Sequence, residues 1–280
     1  MLQLGRLNIL TIAREVDFGL YLEDADAEEV LLPRRYVPTT FQIGDSVEVF
    51  VYLDSEDRLV ATTKTPYAMV DQFALLQVVS IASVGAFLDW GLPKDLLVPF
   101  REQKPRMQID QFYMVRVYVD DKTNRIVASP RLDRFLDDHL PLGLWPGKEV
   151  DLLVCRHTDI GYKVIVNGSF WAVLFDSDVF QPLTEGQRMR GFIKKLRDDK
   201  GVDVSIQRPG HTKVNDLSEM IVQHIKDQGG STQVTDRSSP DIIRKTFGVS
   251  KKAYKMTIGS LYKKRIIRIQ DNEIHLANPK

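Results

Sequence analysis

Phe18-Gly19-Leu20-Tyr21-Leu22 recurs as Val84-Gly85-Ala86-Phe87-Leu88, 66 positions further along the chain. The same offset carries Leu31-Leu32-Pro33 onto Leu97-Val98-Pro99, and Val49-Phe50-Val51-Tyr52-Leu53-Asp54 onto Val115-Arg116-Val117-Tyr118-Val119-Asp120. Arg58-Leu59-Val60-Ala61 reappears as Arg125-Ile126-Val127-Ala128 at an offset of 67, one residue having been added in a hairpin turn. Blocks held in one register mark an internal repeat, and a repeat sets the domain plan before any single motif is weighed. A third, more worn copy lies 76 positions beyond the second. There Ile160-Gly161 follows Val84-Gly85, Val173-Leu174-Phe175 falls on Leu97-Val98-Pro99, and Val204-Ser205 falls on Ala128-Ser129.

Within a copy the pattern is that of strands. Apolar and polar residues alternate through Ser46-Val47-Glu48-Val49-Phe50-Val51, with β-branched and aromatic residues frequent. Turns are marked by Asp54-Ser55-Glu56-Asp57, by Asp120-Asp121-Lys122-Thr123-Asn124 and by Arg197-Asp198-Asp199-Lys200-Gly201. About five short strands in roughly 65 residues, without a long helical pattern, suit a small closed barrel of the OB type, because closure removes exposed edges. Each copy alone is near the lower limit for an independent core, so packing between copies is expected. The expected boundaries are 1–64, 65–136 and 137–211.

After Gly210 the period changes. Val214, Leu217, Ile221 and Ile225 mark a helix that stops at Gly229-Gly230. Ser239-Pro240-Asp241 caps a second helix through Ile242, Ile243 and Phe247, closed by Gly248. Ser250 caps a third, with Ala253, Tyr254, Ile258, Leu261 and Tyr262 expected inward. Two strands, Ile266–Ile269 and Glu273–Leu276, follow around Asp271-Asn272. That order reads as an α+β winged helix-turn-helix over 212–280, so the chain is expected to be mainly β: three tandem five-stranded barrels and a winged helix.

Of the 280 residues, 43% are hydrophobic and 27% charged, the balance of a globular chain. The net charge of zero hides an asymmetry. Residues 212–280 hold 13 Lys/Arg against 7 Asp/Glu, a net of +6, and the rest carries −6. Local charge attracts a polyanion, so a basic end on an acidic body is a partner signal. Cys155 is the single cysteine, which rules out an intrachain disulfide and a multi-cysteine metal site and fits a reducing cytoplasm. Met1 to Glu15 carries Arg6 and Arg14 without a long apolar run and does not read as a signal peptide. Phe73 to Leu92 has the length of a membrane helix, but Gln77, Ser80, Ser83, Gly85 and Asp89 interrupt it and its second half belongs to the repeat. No membrane association is expected.

The repeat also resembles the S1 RNA-binding domain. In that family an aromatic-Gly-x-aromatic strand, a His after the third strand and an Asp-x-x-x-Arg pair form the RNA face. The first copy matches with Phe18, Tyr21, Asp54 and Arg58, and has Pro33 where the family has His. The second keeps Phe87, Asp120 and Arg125, but has Val84 and Pro99 at the other two places. The third has Ile160, Lys163, Phe175, Leu196 and Gly201 there, so for it the resemblance implies the barrel shape alone. The implied partner is single-stranded RNA, held by bases stacked on exposed rings at about 1–3 kcal/mol each and by cations along the backbone. Phe18 and Tyr21 stand on opposite parities of a strand, and Gly19 between them is expected to bend it so that both reach one face. The alternative is that at least one of the two rings is core. Arg34, Arg35 and Tyr36 follow at once, placing two cations and a ring beside that face, or forming a solvated loop. In the third copy Lys194, Lys195 and Arg197 are either a charged substitute for stacking or plain soluble surface, and Phe170-Trp171 alternates like a core strand.

In the C-terminal domain Lys251, Lys252 and Lys255 open the third helix opposite Tyr254 and Ile258, where a recognition helix meets nucleic acid. Lys263-Lys264-Arg265 and Arg268 continue the cationic surface into the wing. Contacts of that kind to phosphates give salt-dependent affinity with little sequence preference. The other use of a winged helix is protein docking. The five histidines, His139, His157, His211, His224 and His275, show no ligand spacing, and neither a Gly-rich phosphate loop nor a nucleophile elbow is present. Nothing in the sequence points to an enzyme, a metal or a cofactor.

Over essentially its whole length the chain is similar to the conserved virulence factor B family of bacterial S1 proteins, on Leu-Gly-Arg-Leu (4–7) and Leu-Leu-Pro-Arg-Arg-Tyr (31–36) together with the order of domains. That resemblance implies RNA binding linked to post-transcriptional control of gene expression, with no cofactor. Two readings stand beside it: a DNA-binding transcriptional regulator acting through the winged helix, and a scaffold docking on ribosome or protein.

Overall fold

A computed structural model describes residues 1–137, 140–179, 181–207, 213–270 and 273–277, the side chains of 213–216 excepted. Val214 as a core residue, the boundary at 211/212, His139, His211 and the Asp271-Asn272 turn therefore lie outside the described residues. The architecture is mainly β: three closed five-stranded barrels, then a small helical region with a three-stranded sheet.

The first barrel comprises β1 (Leu7–Val16), β2 (Gly19–Glu23), β3 (Glu29–Pro33), β4 (Ser46–Leu53) and β5 (Leu59–Thr62). Its hydrogen-bonded order is β1-β2-β3-β5-β4, closed by β1 against β4 and by a parallel contact of β3 with β5 at Leu31 and Val60. Alternation decides which residues fill it. Along β1, Leu10 and Ile12 point inward, whereas Ile9 is exposed and Thr11, between the two, is half-buried. The second barrel repeats the plan with β6 (Phe73–Ala82), β7 (Gly85–Leu88), β8 (Leu96–Pro99), β9 (Phe112–Val119) and β10 (Ile126–Ser129). The third does so with β11 (Glu149–Thr158), β12 (Gly161–Val166), β13 (Phe170–Phe175), β14 (Arg188–Leu196) and β15 (Val202–Ser205). The apolar stretch from Phe73 is thus barrel strand, and among the described residues no helix is long and apolar enough to cross a membrane.

The copies agree in detail. The first strand of each breaks register at the same place, between Ile12 and Arg14, Val78 and Ser80, and Val154 and Arg156. A bulge there lets a long strand coil from one side of a small barrel to the other. The glycine that opens each second strand has one reason as well. A Cβ on Gly19, Gly85 or Gly161 would stand 2.1, 2.2 or 2.3 Å from the carbonyl oxygen of Leu32, Val98 or Leu174. The neighbouring strand passes too close for any side chain.

The barrels pack on one another, as their size requires. Phe50, Tyr52 and Val60 of the first share a core with Trp90, Leu88 and Val115 of the second, and Trp90 meets Phe50 edge-on at 5.7 Å. Phe73, Leu136, Leu153, Cys155 and Ile165 join the second barrel to the third. Burial there pushes the Cys155 thiol up to about 12.

In the C-terminal region α1 (Lys213–Asp227), α2 (Pro240–Phe247) and α3 (Lys251–Lys263) surround Ile221, Ile225, Ile243, Tyr254 and Ile258. The Ser239 and Ser250 hydroxyls accept from the Ile242 and Ala253 N–H groups, and Gly248 ends α2 in the left-handed conformation at φ 68°. β17 (Ile267–Gln270) and β18 (Glu273–Leu276) form the hairpin, and β16 (Ser231–Thr232) adds an edge to β18. Two residues are too few to show a period, so β16 leaves no trace in the sequence. Tyr262 corrects an expectation: it is 55% exposed, because the inward stripe of α3 runs through Tyr254, Thr257, Ile258 and Leu261.

Candidate nucleic-acid interface

The outer face of the first barrel is built around the hairpin that joins β1 to β2. Val16 pairs with Gly19 and Arg14 with Tyr21, so Asp17 and Phe18 are the two turn residues. Phe18 is therefore not in the strand, and the parity of β2 does not govern it. It sits at the hairpin tip, 58% exposed, its ring edge-on to the half-buried Tyr21 at 6.4 Å. Neither ring is core. Gly19 serves the close approach to Leu32 rather than a bend that brings the rings together.

Arg14 lies 3.8 Å over the Tyr21 ring and is held there by two hydrogen bonds to Glu29, Nε to Oε1 at 3.1 Å and Nη2 to Oε2 at 2.8 Å. The paired guanidinium holds the Glu29 carboxyl below its ordinary range. Arg34 donates to Glu15 Oε1 and to the Val16 carbonyl, both at 2.7 Å, bracing the hairpin from the other side. Arg35 is exposed, and among the described residues no carboxylate comes within ion-pair distance of it. Tyr36 does not belong to the face: it is 7% exposed in the barrel core, with the Arg35 guanidinium 4.8 Å over its ring. The short 3₁₀ turn over Arg34–Tyr36 rotates the third residue inward, which the sequence alone could not show. Arg14 was missed for a related reason, although a two-residue turn at Asp17-Phe18 would have put it opposite Tyr21.

Asp54 and Arg58 close the β4–β5 hairpin on each other. Arg58 donates to Asp54 Oδ2 from Nη2 at 2.7 Å, and Asp54 Oδ1 accepts the N–H groups of Glu56 and Arg58. In the second barrel the equivalent pair does not form. Asp120 accepts from Arg101 at 2.8 Å and from Thr123 at 2.9 Å, while Arg125 crosses to Asp57 in the first barrel. Phe87 is half-buried and Val84 is 55% exposed. Both line a cleft of about 180 Å³ shared with Tyr52, Trp90 and Lys94, so the second barrel's corresponding face opens onto the first barrel's hairpin.

In the third barrel Lys194 is paired with Asp178 at 2.6 Å and Arg197 with Asp203 at 3.1 Å, leaving Lys195 as the exposed cation of the three without an ion pair among the described residues. Phe170 is core, but Trp171 is half-buried, donates to Asp133 at 2.7 Å and carries Lys163 3.8 Å over its ring. On α3, Lys252 and Lys255 are exposed, whereas Lys251 is half-buried and donates to the Ser238 carbonyl at 2.9 Å. It fastens the α2–α3 segment instead of facing outward with the other two. Arg268 on β17 is exposed. Among the described residues no cluster of His, Cys, Asp and Glu is arranged to hold a metal.

Two family models match the chain: the S1 domain over residues 4–64 and the CvfB-like winged helix domain over residues 219–276. The chain is 28% identical over 275 residues to the uncharacterized protein YitL of Bacillus subtilis, covering 92% of this chain and 89% of that one. It is 26% identical over 289 residues to conserved virulence factor B of Staphylococcus epidermidis, covering 98% and 94%. Among solved structures, a multidomain protein with nucleic acid binding domains from Streptococcus pneumoniae aligns over 98% of each chain at 23% identity and a TM-score of 0.40. The families matched are nucleic-acid-binding and virulence-factor domains rather than enzyme families. With an S1 domain match at its start, a CvfB-like winged helix match at its end and relatives that span most of its length, the chain is similar to the conserved virulence factor B proteins.

Proposed function

We propose that this chain is a cytoplasmic, non-enzymatic regulator that binds single-stranded RNA and acts after transcription, with the first barrel as stacking platform and the winged helix as a source of phosphate contacts. The observation that carries the reading is the hairpin tip of the first barrel. An exposed ring, Phe18, adjoins a second ring, Tyr21, that is already braced by Arg14, and Arg35, exposed and without an ion pair among the described residues, follows β3. A ring pinned from behind keeps an open face without the entropy cost of ordering it, and unpaired bases can stack there. We read the domains as 1–64, 65–136, 137–211 and 212–280. In the second barrel Phe87 offers a smaller surface, with Asp120 and Arg125 engaged elsewhere.

The exposed Lys252, Lys255 and Arg268 favour a second reading, contact with duplex DNA through the winged helix. Competition of labelled single-stranded RNA against duplex DNA at one stated salt concentration separates the two. Preference for the single strand is expected. Equal affinity, or preference for duplex, would transfer the function to the winged helix.

A further inference from the structure

A second place on the molecule brings an exposed ring beside cations, and neither the repeat nor the matched families single it out. Tyr67 lies in the segment between the first and second barrels and is 64% exposed. Its N–H donates to the Trp90 carbonyl at 2.9 Å, and its ring lies against Gly91, where a Cβ would stand 3.2 Å from Cε1. The ring is thus backed by a glycine that makes room for it, and most of the side chain is in solvent. The ring stands at the edge of an open cleft of about 860 Å³ between the second and third barrels, whose charged lining is Arg116, Arg188 and Arg190 with Asp71 and Asp151.

The three arginines differ in how they are held. Arg116 is structural: it bonds Asp71 at 2.8 Å and lies over Phe73 at 4.7 Å, with its Nε buried and unpartnered. Arg188 donates to the Phe73 carbonyl, and among the described residues no carboxylate lies within ion-pair distance of it. That bond engages one of its five N–H donors, and the rest of the fork stays outside an ion pair. Arg190 is 69% exposed and lies 3.2 Å from Asp151 and 3.8 Å from Glu149, both exposed as well, so solvent screens these pairs heavily and a phosphate can replace them. An exposed, braced ring next to two available guanidiniums, on a body that otherwise carries excess negative charge, is the composition of a single-strand site.

We propose that the Tyr67–Arg188–Arg190 cleft is a second contact for single-stranded RNA, a base stacking on Tyr67 and the backbone phosphates meeting Arg188 and Arg190. This rests on the reading of the chain as an RNA-binding protein, and it is independent of which residues form the first-barrel face. The test uses the full chain and a labelled oligouridylate of about 30 nucleotides, long enough for several barrels at roughly 4–16 nucleotides each. Tyr67→Ala should weaken binding about tenfold and leave the salt slope alone, and Tyr67→Phe should restore it. Arg188→Gln with Arg190→Gln should flatten the slope of log affinity against log salt by about 1.4, at about 0.7 per phosphate. Arg190→Gln alone leaves the Arg188 bond to the Phe73 carbonyl in place and should flatten the slope by about 0.7, which keeps the test readable if the pair or Tyr67→Ala disturbs packing. Ultraviolet crosslinking should recover the peptide that holds Tyr67. Wild-type affinity and slope in the folded arginine variant, with no crosslink at Tyr67, would overturn the proposal. If the Phe18→Ala/Tyr21→Ala variant binds normally while these variants do not, the first-barrel face is wrong and the cleft stands.

Discussion

Arg125 of the second barrel bonds Asp57 at the hairpin tip of the first and leaves Asp120, in its own hairpin, to Arg101. In the first barrel the equivalent carboxylate, Asp54, takes Arg58, and Arg35, the counterpart of Arg101, has no ion pair among the described residues. The extra residue in the second hairpin separates Arg125 from Asp120, and the packed neighbour supplies another carboxylate. Lys94 reinforces the joint, donating to the Asp54 carbonyl at 2.6 Å and lying 3.6 Å from Asp57. One set of repeat residues thus remains an open face in the first barrel and becomes part of a joint in the second.

Removing the two rings at the β1–β2 tip separates binding from folding. Phe18→Ala with Tyr21→Ala should cost about 2–5 kcal/mol of RNA affinity at roughly 1–3 per stacked base, with the salt slope unchanged because no cation is lost. Phe18→Ala alone should move stability by no more than about 0.5 kcal/mol, since the ring is mostly in solvent. Filter binding and circular dichroism on the same samples decide it. Loss of the folded signal would make the rings structural.

Gly161 shows that the glycine of the repeat is architectural. Its barrel lacks the aromatic pair, yet a Cβ there meets the Leu174 carbonyl at 2.3 Å and the Phe175 Cα at 2.7 Å. Gly161→Ala should therefore destabilise the chain by about 1–3 kcal/mol, the ordinary cost of overpacking a tight contact. Gly19→Ala should cost a similar amount. Urea unfolding measures both, and an unaffected midpoint for Gly161→Ala would disprove the close-approach argument.

Lysines on α3 should contribute unequally. Lys252→Gln with Lys255→Gln is expected to flatten the salt slope on single-stranded RNA by about 1.4. Adding Lys251→Gln should change the slope little, because that ammonium is committed to the Ser238 carbonyl. Base preference should not move, as phosphate contacts carry no sequence information. An unchanged slope in the folded double variant would assign this helix face to protein docking.

Glu102 gives the chain a pH signature. It is 5% exposed, and its Oε2 accepts from Ser129 at 2.8 Å and Arg134 at 2.7 Å. Burial raises its pKa, but the Ser129 and Arg134 hydrogen bonds outweigh that and hold it below the ordinary 4.5. A depressed carboxylate contributes stability that is fully present above about pH 4.5 and is lost as pH falls through the folded value. Glu102→Gln should cost about 1–3 kcal/mol at neutral pH. It should also lose less than wild type between about pH 5.5 and pH 3. Parallel stability curves for the two proteins over that range would refute the assignment.

Local patterns, read against each other at a fixed offset, were enough to determine the three barrels. Alternation places Leu10 and Ile12 inside, turn residues delimit the hairpins, and the recurring glycine marks a tight crossing whichever rings flank it. Capping residues and apolar spacing likewise determined α2 and α3, because those signals act within one or two turns of chain. Partner choice among side chains was decided in three dimensions. Tyr36 went inward on a 3₁₀ turn, Arg14 came to lie on Tyr21 across a hairpin, and Arg125 paired with another barrel. The cleft beside Tyr67 comes into being where barrels meet, from residues more than a hundred positions apart. Hydrophobic alternation is a property of neighbours in sequence, whereas the pairing of a surface charge depends on whichever carboxylate packing brings within reach.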